Sequence, residues 1–407
     1  MDAELLIRNA RLMTCDPERP GVGVIERGSV AFIDGRIAWV GVDGDITGVT
    51  TASKVVDAGG KLVTPGLVDC HTHAIFAGDR AGEFGLRAAG AGYLEIAAAG
   101  GGIAASLKAT RLASDETLIA LLRERLQLAA AAGTTTIEVK SGYDLTVEGE
   151  LRMLKCIAKV ATERGVPRVV ATLLVHVVPP ERKADRDAYV KEVCESLIPK
   201  AAAQALCTAV DIYCDEGAFT RDEARAVLGA AKRAELSVKA HIGQFADLGG
   251  AELLGALGAL SGDHLEFVGD AGIAAMAKGG VVAVMLPGAC VQLRLPVPPV
   301  EKFRAAGVAT AVATDLNPGT SYCEQLPLQL WLATTHYGMT VEEAWLGVTR
   351  HGAKALGMSD VGMLRTGAVA DVVMWKCAHE AEVPYRYGAA HTLVNRVFRA
   401  GLDMTAK

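Results

Sequence analysis

Nine cysteines are scattered along this 407-residue chain without a single C-x-x-C pair. An odd, dispersed set excludes a disulfide framework or a zinc knuckle and reads as reduced, buried thiols of a cytoplasmic protein. Positive charge is not in excess either. The 41 basic residues against 47 acidic ones give a net charge of −6, without the basic face that nucleic acid or an anionic membrane requires. The first ten residues, MDAELLIRNA, carry acidic groups and no apolar core, so no signal peptide is expected there. No apolar run reaches bilayer length; "GGVVAVMLPGACVQL" is interrupted by Pro287 and Gly288. A G-x-G-x-x-G turn after an early strand is also missing. The glycines of "AAAGGGIAAS" at 97–106 lack that spacing and follow no strand, which argues against a doubly wound dinucleotide-binding sheet.

What is present is an ordinary globular composition, 51% hydrophobic and 22% charged, on a chain long enough for one large domain and a smaller one. Up to residue 63, short β-type runs alternate with glycine turns, and the texture returns from about Leu364 in "GAVADVVMWK" and "HTLVNRVFRAG". Neither flank buries a core alone, so the two together are expected to build one small domain. Between them eight apolar runs, from "GLVDCHTH" to "ATAVATDLNPG", alternate with helical stretches such as "SDETLIALLRERLQLAAAAG" and "TRDEARAVLGAAKRAEL". Strands buried on both faces and separated by helices make a parallel sheet, and eight such units predict an α/β fold. The expectation is a (β/α)8 TIM-type barrel over 65–361, with a small β-sandwich domain from 1–64 and 362–407.

Polar residues end nearly every run: His71 and His73; Glu138, Lys140 and Tyr143; His176; Asp215 and Glu216; His241 and Gln244; His264; Asp315 and Asn317. In a barrel these ends share one mouth, where catalysis is found. His71 and His73 project from the same side of an extended strand. Alone, an H-x-H pair is as readily a hydrogen-bonded accident as a metal site. Joined by His241, Asp315 and His264 from other strand ends, it predicts one divalent metal ion. Three imidazoles and a carboxylate with an open position suit a catalytic Zn2+, and imidazole suits iron as well. Asp315 is then ligand and proton acceptor, and His264 polarises a carbonyl or shuttles a proton. Strand alternation points Asp263 to the opposite face, in a structural role. Arg80 overhangs the mouth, where a guanidinium fork pairs with a carboxylate, or else forms a surface ion pair. Spacing leaves Tyr93 and Tyr143 open between substrate contact and packing.

Taken in order, "PGLVDCHTH", "KAHIGQ", "GDHLEF" and "ATDLNPGTS", bracketed by a split β-domain ending in "GAVADVVMW", resemble the amidohydrolase superfamily of metal-dependent hydrolases. The loop "FAGDRAGEFGLRAAGAGYLEIAAAGGGIAASLKATRLAS", with "EVKSGYDL" and "VHVVPPE", is similar to the imidazolonepropionase family within it. The resemblance covers essentially the whole chain. It implies a mononuclear site of His71, His73, His241 and Asp315. It implies substrate contacts from Arg80, Tyr93, Tyr143 and His176, with Asn317, Gly319 and Thr320 from the "NPGTS" stretch. Gln244 and His264 then sit beside the scissile amide and the attacking water. The implied substrate is a small-molecule carboxylate, a five-membered cyclic amide with a propionate tail that opens to N-formimino-glutamate. Barrels of this kind are commonly homodimers, although no stretch here marks an interface.

The sequence also departs from the family pattern. "GACVQLRLPVPP" replaces an aromatic-rich stretch, so Cys290, Val291 and Gln292 are expected to alter the wall facing the ring. "YCEQLPLQLW" follows "NPGTS" and brings Tyr322 near the mouth, and Gly243 stands where an acidic residue is common. Competing functions are therefore a hydrolase of a hydantoin- or thiohydantoin-type propionate, a heterocycle aminohydrolase, or a degenerate, non-catalytic barrel.

Overall fold

The structure is a computed structural model and describes residues 2–90 and 101–405. Its first five strands are β1 (Asp2–Met13), β2 (Val24–Ile33), β3 (Arg36–Val42), β4 (Thr51–Asp57) and β5 (Leu62–Pro65). The last three are β14 (Val372–Trp375), β15 (Val394–Arg399) and β16 (Leu402–Asp403). All eight form one sheet in the order β16-β15-β14-β5-β1-β2-β3, with β4 paired to β1. The seam between the chain ends is β5, parallel to β1 and antiparallel to β14. Ile7, Leu12, Phe32, Val63, Val372 and Phe398 are buried in the shared core, so neither end closes it without the other.

The remaining strands are β6 (Leu67–Asp69), β7 (Thr134–Lys140), β8 (Arg168–Val175), β9 (Ala209–Cys214), β10 (Ser237–Ile242), β11 (Ser261–His264), β12 (Val282–Met285) and β13 (Thr310–Val312). They pair in sequential parallel order from β6 to β13, one for each apolar run. Every residue of β7 is buried, as expected where helices cover one face and the barrel interior the other. The connecting helices begin where the sequence supplies caps. Ser114 accepts from the Thr117 N–H ahead of Asp115–Ala131, and Thr220 makes a capping box with Glu223 ahead of Arg221–Arg233. Closure is completed at the mouth: Thr72 and Leu316 form a parallel bridge, the His73 N–H donates to the Leu316 carbonyl at 2.8 Å, and the Asp315 N–H donates to the His71 carbonyl at 3.0 Å. That closure puts the H-x-H pair beside Asp315.

Sheet and barrel are joined by a buried carboxylate. Asp371, just before β14, accepts from Arg168 Nη1 at 2.6 Å and from the Ala400 N–H at 2.7 Å, while its carbonyl takes the Gly66 N–H at 2.8 Å.

Candidate active site

At the mouth, Asp69 accepts from the N–H and hydroxyl of Thr314 at 3.0 and 2.6 Å, tying the ends of β6 and β13 together. Asp315 follows in a left-handed conformation, φ +51°, an uncommon state outside glycine that gathers at functional sites. Asn317 steadies the turn. Its Nδ2 donates to the Asp315 carbonyl at 2.7 Å, and its Oδ1 accepts from the Gly319 and Thr320 N–H groups, both at 2.8 Å.

Four donor atoms converge there. Asp315 Oδ1 lies 3.5 Å from His71 Nε2 and 3.4 Å from His73 Nε2, and His73 Nε2 lies 3.2 Å from His241 Nε2. Donors about 2.0–2.1 Å from a tetrahedral ion stand roughly 3.3–3.4 Å apart, so this spacing fits a metal. His71 Nε2 and Asp315 Oδ1 are buried and have no hydrogen-bond partner in the protein, an arrangement that costs stability unless a ligand completes it. Burial first, then Lys140 and His241, lowers the His71 pKa to about 4, which keeps the ring neutral and able to ligate.

The barrel interior beneath is charged. His71 Nδ1 contacts Asp263 at 2.6 Å and His241 Nδ1 contacts Asp211 at 2.9 Å, so each ring donates downward and turns its Nε2 lone pair to the mouth. Lys140 Nζ sits 2.6 Å from Asp211, 2.7 Å from Glu138 and 3.7 Å from Asp263. Lys239 Nζ reaches Glu138 at 2.9 Å and Asp263 at 3.9 Å. Burial alone drives the Lys140 ammonium toward neutrality; Asp211, Glu138 and Asp263 outweigh it and raise its pKa. Three carboxylates against two ammoniums leave one negative charge uncompensated below the donor atoms.

Asp263 departs from the expected orientation. It does not point away from the mouth but inward, supporting His71. The reason is local: His264 adopts φ +82° and Leu265 φ +74°, which breaks strand alternation and lets neighbours share one side. His264 Nδ1 is 3.9 Å from Glu266, an ion-pair distance rather than a hydrogen bond. Burial opposes the charge on this imidazole, but Glu266, Asp315 and Asp263 outweigh it and raise its pKa.

A cavity of about 150 Å³ opens over the donors and is lined by Arg80, Tyr143, His176, Gln244, His264, Asn317 and Thr320 together with His73, His241 and Asp315. Arg80 gives its Nε edge to Glu83 at 2.9 Å, and a Cβ on Gly319 would meet its guanidinium at 2.2 Å. Gly319 therefore contributes space for Arg80 rather than a cavity wall. The Tyr143 ring packs edge-on to His176 and Phe76, and burial pushes its hydroxyl pKa up. His176 stacks on His73 at 5.5 Å with Nδ1 3.1 Å from the Gly142 carbonyl. Burial, then His73 and His241, lowers its pKa to about 3. Tyr93 lies outside the described residues.

The altered loops sit differently from expectation. Cys290 is turned into the protein, its thiol 3.5 and 3.4 Å from the carbonyls of Leu295 and Pro296. This loop contributes Leu293 to the cavity wall instead. Gln292 and Tyr322 line a neighbouring recess, where Tyr322 packs on Phe76. Asp215 shapes the β10 loop, accepting from the Gln244, Phe245 and Ala246 N–H groups. Sequence reasoning missed Tyr213, which lines the cavity with its hydroxyl 2.7 Å from Gln244 Oε1. Its signal was present: it alternates with Asp211 and Asp215 on one strand side.

The amidohydrolase family model matches residues 62–401. Imidazolonepropionase from Paracoccus denitrificans is 46% identical over 384 residues, 94% of this chain and 96% of that protein. Imidazolonepropionase from Acidiphilium cryptum is 48% identical over 378 residues, 92% of this chain and 93% of that protein. The chain belongs to the amidohydrolase family, among the imidazolonepropionases. The family is metal-dependent, in keeping with the His and Asp donors at the mouth. Its fold is shared more widely. A zinc-bound adenosine deaminase from Xanthomonas campestris superposes with a TM-score of 0.75 at 19% identity over 99% of this chain and 93% of that one. A triazine hydrolase from Arthrobacter aurescens gives 0.75 at 16% identity over 98% and 94%.

Proposed function

We propose that this chain hydrolyses the ring amide C–N bond of 4-imidazolone-5-propanoate to give N-formimino-L-glutamate, a step of histidine breakdown. The observation that carries the reading is the cavity that Arg80 lines together with His73, His241 and Asp315, whose donor atoms converge with His71 Nε2. A five-membered ring placed over the donors turns its carboxylate tail to Arg80 in this reading. The relatives named imidazolonepropionase support the same assignment.

His71, His73, His241 and Asp315 hold one divalent ion, Zn2+ in this reading, with iron the alternative for the same nitrogen donors. When bound, the ion supplies Lewis-acid polarisation and brings the pKa of a water toward roughly 7. The side chains do the rest. Arg80 pairs with the propionate and orients the ring, while Tyr143, His176, Asn317 and Thr320 bound it. Asp315 accepts the proton of the attacking water, and His264, with its raised pKa, delivers a proton to the departing ring nitrogen. Gln244 hydrogen-bonds the ring beside the scissile bond. The free thiols, seven of the nine buried, agree with a cytoplasmic enzyme, and a homodimer is proposed with it.

Turnover of imidazolone propionate, with N-formimino-glutamate identified by mass spectrometry and no ammonia released, tests the reading. Negligible turnover beside brisk hydrolysis of a hydantoin propionate overturns the ring assignment. Metal below a tenth of an equivalent, with no activity regained on adding Zn2+ or Fe2+, overturns the enzyme itself.

A further inference from the structure

Gln244 carries one acceptor, Oε1, and two N–H donors, so which end faces the ring decides what the site recognises. One contact orients it, and two observations hold its partners in place. The Gln244 backbone is held by Asp215, whose Oδ2 accepts its N–H at 2.6 Å. Tyr213 stands directly opposite His241 in the β9–β10 register, with ring contacts of 5.7 Å to His241 and 6.1 Å to His176. From that anchored position its hydroxyl donates to Gln244 Oε1 at 2.7 Å. The geometry points to Tyr213 as a specificity-determining positioning residue: by occupying the Gln244 carbonyl it presents the amide NH2 to the cavity, so the site selects rings that offer an acceptor there. The inference rests on Gln244 being a substrate contact. Without the hydroxyl the amide is free to turn its oxygen toward the ring, and acceptor then meets acceptor.

Kinetics of Tyr213→Phe, Gln244→Ala and the double variant test this, with circular dichroism and metal content to confirm intact protein. Tyr213→Phe lowers kcat/KM about 5- to 10-fold, the effect of one hydrogen bond. In the Gln244→Ala background the same substitution changes it by less than about 2-fold, because the two residues act as a unit. An equal loss in both backgrounds overturns the inference, since a tyrosine that only packs against His241 and His176 would act independently of Gln244. A Gln244→Ala variant with unaltered kinetics overturns it in a different way, by removing Gln244 from the substrate contacts.

Discussion

Replacing Asp211 by Asn probes the charged floor at the point where it meets a proposed ligand. One Asp211 oxygen accepts from His241 Nδ1 at 2.9 Å and the other from Lys140 Nζ at 2.6 Å. Asparagine has the same shape but only one acceptor. If its oxygen stays with His241, its NH2 faces the Lys140 ammonium, donor against donor; if it turns, His241 loses its orienting partner. Lys140 keeps Glu138 at 2.7 Å, so no buried charge is stranded and the fold survives. Lys140→Met is the poorer probe. It leaves three carboxylates with Lys239 alone, at about 3–5 kcal/mol for breaking a buried pair. Loss of an outer partner of a metal-bound histidine weakens binding about 10- to 100-fold, equivalent to about 1.4–2.7 kcal/mol. Titration of zinc against a competing chelator measures the shift directly and does not depend on turnover. Asp187→Asn, an exposed change on the helix Arg186–Glu192, serves as the control and leaves affinity unaltered. An Asp211→Asn affinity within about 2-fold of the parent refutes the argument that the floor sets the ligands.

Asp315→Ala should reduce turnover at least about 100-fold, the scale of a lost proton acceptor, with an unchanged circular dichroism spectrum; substantial remaining activity contradicts its double role. Arg80→Met should raise KM about 10- to 150-fold, the worth of a hydrogen bond to a charged group, and affect kcat less. An unchanged KM removes Arg80 from the carboxylate. Asp371→Ala leaves the Ala400 N–H unpaired and the Arg168 guanidinium with Thr136 Oγ1 but no carboxylate at the joint between sheet and barrel. It should destabilise the protein by about 1–3 kcal/mol in a denaturant titration while leaving zinc affinity intact.

Legibility followed periodicity. The eight barrel strands were readable because residues buried on both faces give short apolar runs, and the helix starts at Ser114 and Thr220 because capping is a local, side-chain-to-backbone interaction. The mouth residues were readable because strand ends share a face. The charged floor was not: Glu138 and Lys140 of β7, expected at the mouth, lie buried beneath it, and Asp211 of β9 and Lys239 of β10 each sit in a run whose average is apolar, so only closure brings the charges of three strands within bonding distance. Asp263 was misread for a different reason. Alternation assumes extended backbone, and His264 at φ +82° abandons it at the residue where the count was made. The departure also bears on chemistry. A regular strand would face either Asp263 or His264 inward, giving His71 its support or the cavity its proposed proton donor but not both. With φ positive at 264 and 265 the chain places the two side chains on the same side, one below His71 and one above it. The unusual backbone, carried by a non-glycine residue, is therefore what allows β11 to serve the floor and the cavity at once.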